Sequence, residues 1–134
     1  MTKLTGVQAG HQFPAATYAL TPEAVAAYLG AVGNCSALYG GDGPVPPTLL
    51  LAWALRSVLE AVELPPGTLH GSQEMEALAA ARVGERVTCQ GKVANTSPRG
   101  GWRFVAIDLS VAGDGGRPLL RGRGTVMFPE GPSS

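Results

Sequence analysis

The chain has 134 residues, 45% of them hydrophobic, and its ten basic and ten acidic residues give a formal net charge of zero. This length suits one domain with its own core, and we predict a single domain over residues 1–134 with the core in roughly residues 10–128. The neutral charge argues against nucleic acid or an anionic membrane as the main partner. Cys35 and Cys89 lack metal-ligand spacing, so we predict no metal site. The start of the chain lacks an apolar leader, which predicts a cytoplasmic protein with reduced thiols.

The first third of the sequence predicts an irregular strand, a short helix and a long loop. Residues 1–10 read as an irregular lead-in, and residues 11–20 as a strand interrupted by Pro14. Thr21, Pro22 and Glu23 are typical of a helix start, and Gly33 suits its end. Residues 34–47 form a loop that is long for a compact domain, which makes it a candidate functional loop.

Residues 48–63 are predicted to form the central helix. They contain no glycine or proline and are rich in Leu and Ala, which favour helix. Apart from Ser57, the polar residues fall on one stripe of Arg56, Glu60 and Glu63, so the helix is apolar nearly all round and is predicted to be buried. It is too short, and too interrupted by Arg56, to span a bilayer.

The second half of the sequence predicts an antiparallel series of strands. Alternating apolar residues mark strands at 69–77, 87–93, 105–111 and 120–128, with turn clusters at 95–101 and 114–116. Beyond residue 80 there are eight basic residues against four acidic ones. This excess has two interpretations, solvated strand faces or an anion site for a group such as a nucleotide phosphate.

The order of elements and four short motifs resemble a known family. The motifs are YLGAVGN at 28–34 followed by Leu38-Tyr39, VPPT at 45–48, LHGSQE at 69–74 and VGERV at 83–87. Together they look like the MaoC-like dehydratase family, and most like the N-terminal, substrate-binding half of its double hot-dog members. The resemblance covers roughly residues 10–128 and implies an α+β hot-dog fold, an antiparallel sheet wrapped around a long central helix.

The resemblance implies acyl-thioester chemistry. Members of the family hydrate trans-2-enoyl thioesters of coenzyme A or acyl carrier protein, or dehydrate 3-hydroxyacyl ones, using a carboxylate and an imidazole. No cofactor is expected beyond the carrier of the substrate. Asn34 stands at the aspartate position and Tyr39 at the histidine position. An amide cannot act as a base, and a phenol with a pKa of about 10 is a poor one at neutral pH. We therefore expect a non-catalytic or divergent hydratase or dehydratase subunit.

Other residues are candidates for the site. His70 is either a general base or an ordinary strand histidine, and Asp42 reads as a turn residue. The alternative function is a hot-dog acyl-CoA thioesterase, in which a carboxylate or His70 activates water. Glu60 and Glu63 would be its carboxylates, although Glu60 is four residues from Arg56 and suits an ion pair. A third interpretation is a plain acyl-binding or structural subunit.

The resemblance also directs expectations for ligands and partners. The acyl group is expected against the central helix, and the phosphates of the carrier against the basic strands. We expect a homodimer, or a heterodimer with a catalytic MaoC-like subunit, because long strands expose edges that a protein must cover. The predicted substrate-binding residues are Pro47, Thr48, Leu49, Trp53, Arg99, Arg103 and Arg121.

Overall fold

The computed structural model describes residues 2–31 and 45–130. Asn34, Tyr39 and Asp42 therefore lie outside the described residues, as do most of the predicted loop and the predicted helix end at Gly33. The helices are α1, Pro22–Ala31, and α2, Pro47–Ala61. The strands are β1 Thr2–Lys3, β2 Ala16–Ala19, β3 Val62–Glu63, β4 Leu69–Ala77, β5 Arg86–Arg99, β6 Trp102–Ala112 and β7 Pro118–Pro129.

Five strands form one antiparallel sheet, in the order β2-β5-β6-β7-β4, and α2 crosses one of its faces. We call the face toward α2 the inner face. It carries the buried side chains of β6, namely Val105, Ile107, Leu109 and Val111, at the alternating positions that the sequence predicted. The predicted α+β class and the sheet curled around a central helix are confirmed.

Two glycine turns connect the long strands. Gly100 and Gly101 have φ of +59° and +85° and join β5 to β6 as a two-residue hairpin, which needs positive φ at both positions. The predicted turn cluster at 95–101 is wrong for residues 95–99, because β5 stays paired with β6 through Arg99. The predicted turn at 114–116 is confirmed, and Gly115 and Gly116 there also have positive φ.

The first 20 residues are more ordered than the sequence suggested. The predicted irregular lead-in is wrong, because β1 pairs in parallel with β3, and Leu4 and Val7 are buried in the core. Within the predicted strand 11–20, only β2 forms a continuous ladder with β5, and Gln12 makes a single bridge to Lys92. The predicted start of α1 is confirmed, since Thr21 Oγ1 accepts a hydrogen bond from the amide of Ala24 at 3.1 Å.

Helix α2 is buried on one side only, so the prediction of all-round burial is wrong. It ends at Ala61, two residues before the predicted end. Leu49 and Val58 face the core, whereas Leu59 is 48% exposed. The helix lies on β5, β6 and β7 and also contacts β3. Ala52, Arg56 and Glu60, on its other side, are exposed. The predicted ion pair is confirmed: Arg56 Nε lies 2.6 Å from a carboxylate oxygen of Glu60.

Strand β4 is an edge strand with little cover on either face. The sequence predicted one buried face, but Leu69 is 53% exposed and Met75 is 38% exposed. The prediction fails because α2 packs over the neighbouring strands and stops short of β4. Cys89 on β5 behaves as predicted for a core residue: it is fully buried, and burial raises the pKa of its thiol to about 12.

Candidate functional site

An apolar groove separates the second half of α2 from the inner face of the sheet. Its volume is about 230 Å3, slightly below the roughly 300–1,000 Å3 that is usual for small-molecule sites. The exposed side chains of Leu59, Leu64 and Leu69 form its rim. The groove is lined by Leu55, Val58, Leu59, Leu64, Thr68, Leu69, His70, Ile107, Leu109, Gly124 and Val126.

Among the described residues that line the groove, His70 is the one that is ionisable. Simple alternation placed it on the wet face of β4, opposite Leu69, Gly71 and Gln73. The register of β4 against β7 shifts between His70 and Ser72, so that His70 pairs with Val126 and Gln73 pairs with Gly124. Because Val126 and Gly124 lie on the same face of β7, this bulge turns His70 and Gln73 to the same, inner face.

Gln73 is a site residue that the sequence did not single out. Its Nε2 donates hydrogen bonds to the backbone carbonyls of Glu74 at 3.0 Å and Arg123 at 3.2 Å. Its Oε1 is buried and accepts no hydrogen bond within the described residues. A Cβ built on Gly124 would lie 2.7 Å from that oxygen and 3.7 Å from His70 Nε2. In the sequence, the alternating glycines Gly122 and Gly124 on β7 were the signal for this open space on the inner face.

The predicted substrate residues of α2 lie away from His70. Pro47, Thr48 and Leu49 are in the first turn of the helix, whereas the groove is formed by residues 55–59. The two sets are separated by at least six residues, or roughly 9 Å of helix. Leu49 is fully buried in the core, and Trp53 packs against Tyr18 with ring centroids 5.2 Å apart. None of these four residues lines the groove.

The three predicted phosphate-binding arginines do not form one cluster. Arg99 pairs with Trp102 and Arg121 with Ser110, so eight residues of β6, or roughly 27 Å, separate them. Arg99 lies on the outer face with its guanidinium 5.7 Å from the centre of the Phe104 ring. One phosphate group therefore cannot contact all three.

Arg103 and Arg121 are already engaged in ion pairs. Arg103 makes a bidentate contact with Glu130, with hydrogen bonds of 2.8 and 3.1 Å. These hydrogen bonds lower the pKa of the Glu130 carboxylate. Arg121 contacts Glu76 at 2.9 Å on the outer face. There it borders a charged hollow of about 530 Å3 together with Asp108 and Arg123, which also pair with each other. Four of the eight basic residues beyond residue 80 are thus held in ion pairs, namely Arg103, Arg117, Arg121 and Arg123.

No carboxylate lines the groove in the part of the chain that the structure describes. Glu60 is held by Arg56, with both side chains about 60% exposed. Glu63 lies on β3 beside Lys3 and borders a separate hollow. Across residues 2–31 and 45–130, no three His, Cys, Asp or Glu side chains come together as a metal site. In the same ranges, no helix is long and apolar enough to cross a membrane.

Solved structures with the same architecture define the fold. A monoamine oxidase regulatory protein from an Archaeoglobus species matches with a TM-score of 0.82 at 12% identity, covering 97% of this chain and 95% of that one. The (R)-hydratase from A. caviae involved in PHA biosynthesis matches at 0.75 and 16% identity, covering 92% and 98%. The ChsH1–ChsH2 complex from Mycobacterium tuberculosis matches at 0.74 and 14% identity, covering 92% and 98%. At these identities the likeness shows the hot-dog fold alone.

A family model places the chain more narrowly. The model described as FAS1-like, dehydratase domain region, matches residues 7–120, which is most of the chain. The chain therefore belongs to this dehydratase family, and the predicted resemblance to MaoC-like hydratases and dehydratases is confirmed. No curated protein sequence matches the chain significantly.

Proposed function

We propose that this chain is a hot-dog subunit that binds acyl thioesters of coenzyme A or acyl carrier protein, of the enoyl hydratase or 3-hydroxyacyl dehydratase type. We further propose that it is a non-catalytic or divergent member of its family. One observation carries the proposal: the groove is apolar, and its described lining includes His70 but no carboxylate. Such a lining suits an acyl chain and offers one imidazole.

The chemistry of hydration explains why efficient catalysis is not proposed. Adding water to an enoyl thioester needs a base for the water, an acid for the alpha carbon and donors for the thioester oxygen. A carboxylate and imidazole pair divides the first two tasks. Here the family positions hold Asn34 and Tyr39, and neither side chain is a competent base at neutral pH. His70 alone would have to serve both steps.

We place the acyl group along Leu55, Leu59 and Val126, beside the second half of α2. The carrier would leave past Leu69 at the rim. Leu69, Met127 and Phe104 are successive partners across β4, β7 and β6, so Phe104 is two strand spacings, or roughly 10 Å, from Leu69. Arg99, which stacks on Phe104 and has no ion pair within the described residues, is therefore the arginine that we propose for a carrier phosphate.

Filling the groove is expected to weaken thioester binding. Val126 is partly buried, packs against the core and lines the groove, so Val126→Phe puts a ring where the acyl chain would lie. We expect affinity for an enoyl thioester such as trans-2-octenoyl coenzyme A to fall at least about 10-fold, which corresponds to about 1.4 kcal/mol. Isothermal titration calorimetry of the purified protein measures this change.

Thr125→Phe is the matched control, because Thr125 neighbours Val126 on β7 but faces the opposite side of the sheet. Affinity for coenzyme A without an acyl group should not change in either variant. Equal losses in Val126→Phe and Thr125→Phe, or no loss in either, would contradict the acyl site.

The groove has an exposed apolar rim, and we propose that a second subunit covers it. Leu59, Leu64 and Leu69 are each more than 40% exposed, and β4 presents an unpaired strand edge beside them. The second subunit is either another copy of this chain or a catalytic MaoC-like chain. The matched ChsH1–ChsH2 structure is itself a complex of two chains, which supports a paired assembly of this fold.

The assembly should be visible in solution. We expect the chain to form a dimer at micromolar concentration, with an interface of at least roughly 1,000 Å2. Met75→Lys on β4 should shift the dimer toward monomer, because it puts a charge on the exposed inner face of the edge strand. Ala26→Lys on the exposed side of α1 is the matched control. Light scattering that shows a monomer at this concentration, with no partner added, would contradict the homodimer.

The thioesterase alternative would depend on His70, which lines the groove, to activate water. Its candidate carboxylates, Glu60 and Glu63, do not line the groove, and Glu60 is already paired.

A cytoplasmic location also stays a prediction from the sequence.

A further inference from the structure

The hydrogen bonds of the Gln73 side chain determine which way its amide group points. Both hydrogens of its amide are used, on the carbonyls of Glu74 and Arg123. A flipped amide would place its oxygen against those two carbonyl oxygens, which is unfavourable. The oxygen is therefore the atom that faces Gly124. It is buried and accepts no hydrogen bond within residues 2–31 and 45–130. A buried acceptor without a donor is costly and calls for an explanation.

The imidazole of His70 borders the same position at Gly124 as that oxygen. Gln73 Oε1 and His70 Nε2 both face the position where a Cβ of Gly124 would lie, at 2.7 and 3.7 Å. Two features of the chain create this arrangement. The bulge between His70 and Ser72 turns both side chains inward, and the glycine leaves the space between them open.

We propose that Gln73 is a positioning residue for His70: a rotation of the His70 side chain lets Nε2–H donate to Gln73 Oε1 across Gly124, a hydrogen bond that is not formed in the described structure. A neutral imidazole has one donor nitrogen and one acceptor nitrogen. With Nε2 as the donor to Gln73, Nδ1 is the nitrogen that can accept a hydrogen from a ligand or a water. The meaning of this arrangement for thioester binding rests on the proposed function, but the pairing itself does not.

The test is an NMR experiment on the free protein labelled with 15N. The spectra are recorded at about pH 8.5, because a free imidazole, with a pKa of about 6.5, is neutral there. We expect His70 to show an Nε2–H resonance that is protected from exchange with water, together with the nitrogen shifts of a single tautomer. His11 is the other histidine of the chain and serves as the internal reference in every spectrum.

Two variants remove the pairing in different ways. Gln73→Leu deletes the acceptor, and Gly124→Ala keeps it but puts a methyl group between the two side chains. Both should abolish the protected Nε2–H signal and bring the two nitrogen shifts of His70 closer together, as in exchanging tautomers. Gln90→Leu makes the same chemical change on β5 and should leave His70 as in wild type. Gly124→Ala decides the question if Gln73→Leu fails to give a folded amide spectrum.

The proposal is overturned if wild-type His70 carries its proton on Nδ1, or if its signals stay unchanged in Gly124→Ala. Because no ligand is present, either result would leave the thioester proposal standing. Conversely, the thioester affinity of Val126→Phe relative to wild type tests the proposed function. It does not test the Gln73–His70 pairing.

Discussion

The purified chain is expected to hydrate crotonyl coenzyme A at least about 100-fold more slowly than a relative that has both the aspartate and the histidine. Each general acid or base role is typically worth a factor of about 100 to 10,000. In our proposal, which follows the sequence resemblance, Asn34 and Tyr39 stand at the positions of that pair, and the described lining of the groove holds His70 but no carboxylate. The loss of absorbance of the enoyl thioester measures the rate directly.

Restoring the pair tests the reason for the low rate. Asn34→Asp combined with Tyr39→His should raise hydration more than either single change, because the two groups act together on one water. Asp42→Asn, a change to a neighbouring carboxylate without a proposed role, is the matched control. Brisk hydration by the wild-type chain alone would show that the non-catalytic interpretation is wrong, and loss of that rate in His70→Ala would then identify the base. Release of free thiol from saturated acyl thioesters would favour a thioesterase.

Much of the fold could be predicted from the sequence because it follows from local periodicity. Alternation located the inner residues of β6, and the absence of glycine and proline located α2. The cap at Thr21 and the ion pair between Arg56 and Glu60 were predicted because both depend on spacing of three or four residues along one helix.

The candidate site was predicted less well because it depends on breaks in that periodicity. The bulge beside Gly71 reverses the face on which His70 lies, and no two-residue pattern reports such a reversal. The arginines show a second limit. Arg99, Arg103 and Arg121 look like one basic cluster in sequence, but the strand register separates their positions and pairs two of them with Glu130 and Glu76.

The exposure of two apolar residues differs from the prediction, and the second subunit that we propose would account for the difference. Leu59 on α2 and Met75 on β4 have the apolar character of buried residues, yet both are exposed in the single chain. The apolar character of a residue reflects its burial in the functional assembly. The described structure contains a single chain and therefore shows only the burial within one subunit. The disagreement thus marks the same surface that we propose a second subunit covers.

Gly91→Ala is expected to destabilise the protein strongly, although Gly91 does not have the positive φ that would itself disfavour alanine. Gly91 is buried on β5 beneath α2, and an added Cβ would collide with Val58 Cγ2 and lie 3.3 Å from Phe13 and 3.5 Å from Leu109. Overpacking of this kind costs about 1–3 kcal/mol of the free energy of unfolding. The helix cannot rise from the sheet without losing its other core contacts, so we expect a cost near the upper end. Urea denaturation followed by circular dichroism measures it.

Val58→Ala supplies the decisive comparison, because it removes the methyl group that the new Cβ would meet. Alone it should destabilise the protein by about 2 kcal/mol through lost apolar burial. In the Gly91→Ala, Val58→Ala double variant, the total loss should be smaller than the sum of the two by about 0.5–3 kcal/mol, the usual coupling of residues in contact. Gly6→Ala is the control, since a Cβ there meets nothing within 4 Å and Gly6 does not have positive φ. It should be neutral or slightly stabilising, because alanine lowers the entropy of the unfolded chain. If Gly91→Ala matches Gly6→Ala, or if the double variant is simply additive, α2 does not lie this close to β5, and the groove between the helix and the sheet would have a different shape.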